Sequence, residues 1–202
     1  MKPEVRRFLG VLLLIGLPLI IAAKAVLTLW VGPKYALQGA LILQVLTTAN
    51  MIRLSAVPYV VALIGTGQQR LVIVTPLLEG VSNLLASVIA GYFFGAVGIA
   101  IGTFTGAIVG TLGNFVYNMP RTTEIKFRFA DYLRDGLLRP LVCSLPLIGA
   151  TIVFHFSDVS TQATGYTAIG AAVVVTALLV WRFGLIRSER EKLWARHFVT
   201  EG

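Results

Sequence analysis

Six apolar stretches fill most of the 202 residues: Phe8 to Trp30, Ala40 to Ile64, Leu71 to Phe94, Val97 to Tyr117, Leu137 to Phe156 and Tyr166 to Ile186. Each is long enough to cross a bilayer, which takes about 20 apolar residues. Hydrocarbon offers backbone groups no hydrogen-bond partners, so a spanning segment must be a helix or part of a closed barrel. The alternation of a barrel strand is missing here. The sequence therefore predicts an all-α membrane protein: a bundle of six transmembrane helices within residues 1–186, followed by a basic cytoplasmic tail at 187–202. With 56% hydrophobic and only 13% charged residues, against about 25% charged in soluble domains, no sizeable soluble domain is left over.

A net charge of +8 would suggest nucleic acid if it formed a patch on a polar domain. Here the basic residues flank apolar runs and read as a topology signal, because Lys and Arg are retained on the cytoplasmic side. With the N-terminus inside, fourteen of the seventeen fall on the cytoplasmic side: Lys2, Arg6 and Arg7, then Arg70, then Arg121 to Arg139, then Arg182 to Arg196. Lys34 alone lies outside, while Lys24 and Arg53 lie within spans. Both termini are thus expected in the cytoplasm. A second reading of the start is a secretory signal, since Lys2, Arg6 and Arg7 precede an apolar run and Ala23-Lys24-Ala25 imitates a cleavage site. The run continues through Trp30, which fits an uncleaved helix better.

Little in the chain suggests catalysis. Cys143 is the single cysteine, His155 and His197 are isolated, and no spacing resembles a metal site. No nucleophile and base stand at motif spacing, so no enzyme activity, metal or cofactor is predicted.

Three ionisable residues inside spans stand out, because each costs about 2.5 to 3.5 kcal/mol on insertion scales. Lys24 lies six residues before Trp30, close enough to snorkel to the outer interface. Arg53 and Glu79 are deeper. At helical rise they sit about 16 Å and about 12 Å above the Gly65 to Arg70 turn, on consecutive helices expected to be antiparallel neighbours. Asn50 and Asn83 lie three and four residues from them, on the same helical faces. Asn50, Arg53, Glu79 and Asn83, with Lys24, are the candidate substrate-binding residues. Two readings stay open: a neutralised pair with asparagines as packing glue, or the lining of a cavity for a charged or sugar-bearing substrate. A guanidinium would suit a phosphate.

Gly98, Gly102, Gly106 and Gly110 repeat every fourth residue, clearing a helix face for close packing. Pro18, Pro58, Pro76 and Pro146 are expected to kink their helices. Gly32 to Tyr35, Gly65 to Arg70 and the region of Gly95 read as turns. Met119 to Arg134 mixes aromatic and basic residues and is expected to lie on the membrane surface.

The sequence Trp30-Val-Gly-Pro-Lys-Tyr-Ala-Leu-Gln38, the Ile42-Leu-Gln44 run, Asn50 with Arg53, Pro58-Tyr59, Gly65 to Arg70, Asn83, and Tyr92-Phe-Phe-Gly-Ala-Val-Gly-Ile-Ala-Ile-Gly102 together resemble the C-terminal half of the polysaccharide flippases. These are relatives of the multidrug and toxin extrusion transporters. The likeness covers residues 8 to 117, and the last two helices by hydropathy alone. It implies one lobe of a two-lobed transporter in the bacterial inner membrane that exports lipid-linked oligosaccharide. The partners implied are membrane lipids and either a missing N-terminal lobe or further copies of the chain. A half-transporter, a gene fragment and a non-transporting accessory protein remain open, as does the lobe of a drug or cation antiporter from the same superfamily.

Overall fold

The computed structural model describes residues 3–122 together with isolated residues between 138 and 178. The predicted spans at Leu137 to Phe156 and Tyr166 to Ile186, the basic tail, Pro146, and the surface segment beyond Thr122 lie outside the continuously described part. Every regular element among the described residues is helical: α1 (Pro3–Val31), α2 (Pro33–Ser55), α3 (Val57–Gly65), α4 (Gln69–Phe94), α5 (Ala96–Gly113), a π-helical turn (Asn114–Asn118) and a last short turn, α6 (Met119–Arg121). They make four membrane-crossing lengths, at Phe8–Val31, Pro33–Gly65, Val72–Phe94 and Ala96–Arg121. These match the first four predicted spans.

Two local expectations change. Gly32-Pro33-Lys34-Tyr35 is not a four-residue turn: Gly32 alone breaks the helices, at φ +90°, and Pro33 opens α2. Proline is favoured in a first helical turn because its missing N–H has no intrahelical acceptor there, so the second span begins seven residues before Ala40. The second change is at Pro58, which does more than kink its span. The helix stops at Ser55 and restarts at Val57, and the Ala56 N–H bonds Arg53 O in a tighter 3₁₀-type turn at 3.2 Å. Ile52 O, at this break, accepts from Ser55 Oγ at 2.6 Å and from Thr111 Oγ1 of α5 at 3.2 Å. By contrast Pro18 and Pro76 lie inside continuous helices.

The chain divides into two compact units, one of residues 19–129 and one of residues 1–18 with 130–202. In the second of these the buried described residues include Leu9, Leu13, Ala172 and Thr176. The 19–129 unit is organised around α5, which packs against both α4 and α2. Its contact with α4 is a glycine zipper. A Cβ at Gly98 would collide with the backbone of Ala90, one at Gly102 with Ser87, one at Gly106 with Asn83 (2.7 Å), and one at Gly110 with Glu79. Ascending numbers on α5 meet descending numbers on α4, so the two helices are antiparallel with backbones in direct contact. Ser87 Oγ lies 3.3 Å from Ile99 O across the seam and 3.0 Å from Asn83 Oδ1 within α4, and its one hydrogen is shared between the two acceptors. At the opposite end, Tyr59, Leu63 and Met119 form a small core with Val60, Val72 and Phe115 around them. The second half of α1 is tied to α2 by Gln44 Nε2, which donates to Ile20 O at 3.0 Å.

Candidate functional site

Arg53 and Glu79 meet. Arg53 Nε lies 2.7 Å from Glu79 Oε1, although its N–H is not directed at that oxygen as a hydrogen bond. The route to this contact differs from the expected one. α2 packs on α5 rather than lying as the close neighbour of α4, and Thr111 of α5 donates to Ile52 O beside the break at Ala56. Glu79 reaches Arg53 because Gly110 carries no side chain: a Cβ there would meet the Glu79 carboxylate, with Cδ at 2.9 Å and Cβ at 3.0 Å. One residue further, Thr111 bonds α2 through Ile52 O. The glycine stripe thus does more than pack helices, since its last member opens the passage for a charge.

The two partners are not equally sheltered. Glu79 is 20% exposed and Arg53 is 42% exposed. One nitrogen of the guanidinium faces Glu79, and a large share of the side chain is open. α5 contributes no titratable side chain, and Glu79 is the single acidic residue between Phe8 and Thr122. The local electrostatics therefore reduce to one cation and its one counter-ion.

The other candidate residues disperse. Asn83 is on the Glu79 face of α4 and half-buried, but it packs on Gly106 in the α4–α5 seam and accepts from Ser87 of its own helix. Asn50 is exposed one turn from Arg53. Lys24 is exposed on α1, and its own carbonyl accepts from Thr28 Oγ1 at 2.7 Å.

A second polar cluster escaped the reading of the sequence. Asn114 and Asn118, in the π turn, are buried with Thr75 of α4. Thr75 Oγ1 donates to Asn114 Oδ1 at 3.2 Å, Asn118 Nδ2 donates to Asn114 Oδ1 at 2.9 Å and to Thr75 Oγ1 at 3.3 Å, and Asn114 Nδ2 donates to Gly110 O at 3.0 Å. The chain of polar contacts continues from Asn118 O to Thr122 Oγ1 (2.9 Å) and from there to the Tyr59 hydroxyl (2.6 Å). Asn118 Oδ1 is left without a donor. The available signal was two asparagines four residues apart in an apolar helix, a spacing that places them on one face.

Helical throughout its described residues, with four lengths of apolar helix among them and a charge pair between two of these, the chain has the character of a multi-spanning membrane protein. No family model, curated protein or solved structure matches it.

Proposed function

We propose that the chain is one lobe, of six transmembrane helices, of a transporter that moves lipid-linked polysaccharide repeat units across the bacterial inner membrane, with both termini cytoplasmic. The observation that carries this reading is the Arg53 guanidinium, held at mid-span by one nitrogen and 42% exposed. Such a group offers its remaining N–H donors in a planar fork that matches phosphate oxygens, and an undecaprenyl-diphosphate carrier presents a diphosphate at the membrane. The site favours an anion over a cation, because its single carboxylate is already committed to Arg53. That weighs against the drug or cation antiporter. A companion lobe or further copies of this chain would complete the cavity.

Farnesyl diphosphate titrated into the chain in neutral-lipid nanodiscs tests the assignment. Arg53→Gln is expected to weaken binding at least about tenfold, the loss of one charge-assisted contact of about 1.5 to 3 kcal/mol. Unchanged affinity would overturn the role of Arg53. The topology has its own test in intact cells carrying Cys143→Ala. A cysteine at Ser160 is expected to react with an impermeant maleimide and one at Thr123 is not, and the reverse pattern would invert the orientation. Both positions lie outside the described residues.

A further inference from the structure

We infer that Glu79 is an internal stand-in for the anionic ligand: its carboxylate occupies Arg53 when the site is empty, and a diphosphate must compete with it. The inference rests on the reading of Arg53 as the anion contact and adds the residue that regulates it. Three observations support it together. Glu79 Oε1 stands 2.7 Å from Arg53 Nε, the position a phosphate oxygen would take. The approach is poorly aligned for a hydrogen bond, so the contact is mostly charge on charge and can be exchanged for another anion. The carboxylate also arrives from a different helix, passing beside Gly110, where a Cβ would crowd it.

The charges surrounding this pair are few. Glu79 faces Arg53 from α2 and a glycine of α5, and its polar neighbours along its own helix, Thr75, Ser82 and Asn83, are uncharged. No second cation among the described residues of these helices lies within ion-pair distance of Glu79. A bound diphosphate therefore feels the full repulsion of the carboxylate, or must displace it. Two like charges about 5 Å apart near a protein surface repel strongly, so removing the carboxylate charge is expected to tighten anion binding about tenfold or more.

The test uses farnesyl diphosphate and the full chain in neutral-lipid nanodiscs. Glu79→Gln keeps the shape of the side chain and its fit beside Gly110, while removing the charge. The expected result is a Kd at least about tenfold lower than that of the unaltered chain. Gly110→Ala approaches the same end by another route, because the new Cβ pushes the carboxylate out of its passage, and it too is expected to tighten binding. The circular dichroism spectrum of each variant establishes that it is folded. If Arg53→Gln loses affinity while Glu79→Gln binds no more tightly than the unaltered chain, the stand-in role is overturned and the Arg53 assignment survives. If Arg53→Gln binds normally, both are overturned.

Discussion

Neutralising Arg53 is expected to destabilise the fold more than neutralising Glu79. Removing one partner of a buried ion pair typically costs about 3 to 5 kcal/mol, because the remaining charge is left uncompensated. The two remaining charges would differ here. Without Arg53, Glu79 is 20% exposed beside Gly110 and has no other cation among the described residues within ion-pair distance; without Glu79, Arg53 is 42% exposed and its long stem can carry the guanidinium towards water. Neither side chain is fully buried, so Arg53→Gln should fall below that range and Glu79→Gln lower still, since exposure discounts a charge interaction. The double substitution should be milder than Arg53→Gln alone. Reversible unfolding in bicelles measures all three.

The order of the two single variants reports what lies outside Arg53. If Glu79→Gln proves the costlier, the guanidinium faces lipid rather than a wet cavity, and both the anion site and its regulation by Glu79 lose their basis. Exchanging the two charges is not a clean probe of their roles. An arginine at position 79 would have to thread the passage that Gly110 leaves for a carboxylate, so its failure to fold would not separate a structural pair from a binding one.

That passage shows which parts of the molecule could be read from sequence and which could not. The four described spans were legible because apolar length is a one-dimensional property. The meeting of Arg53 and Glu79 was legible because charges inside a span are costly and must find partners. The path between them was not, since hydropathy does not specify which helix packs on which. Here α5 lies between the two, with its glycine face against α4 and Thr111 bonded to Ile52 O of α2 beside the break at Ala56. Pro58 announced a disturbance, but whether a proline kinks or divides a helix depends on neighbours that can satisfy the freed groups. Asn114, Asn118 and Thr75 were passed over because they carry no charge and stand out less in a hydropathy profile. Once buried they are as demanding as any polar group, and they form the most extensive side-chain hydrogen-bond cluster among the described residues.

Alanine at Gly98 or Gly102 is expected to be among the most damaging single substitutions in the 19–129 unit. Adding a methyl to a well-packed interior usually costs about 1 to 3 kcal/mol, on the assumption that side chains can move aside. At these positions they cannot, because the new Cβ at Gly98 would overlap the Ala90 carbonyl and the one at Gly102 the Ser87 backbone. The helices themselves would have to separate, losing the contact along the seam and the Ser87 bond to Ile99 O. Each change is therefore expected at or above the top of that range. Gly80 supplies the control within the same helix pair. It lies in the body of α4, and a Cβ there would meet nothing within 4 Å. Gly80→Ala should be neutral or stabilising by about 0.5 to 1 kcal/mol, the ordinary advantage of alanine over glycine inside a helix. Unfolding of the three variants in the same bicelles gives the comparison. If Gly98→Ala and Gly102→Ala behave like Gly80→Ala, α4 and α5 are not joined in this register, and the passage at Gly110 that brings Glu79 to Arg53 would go with it.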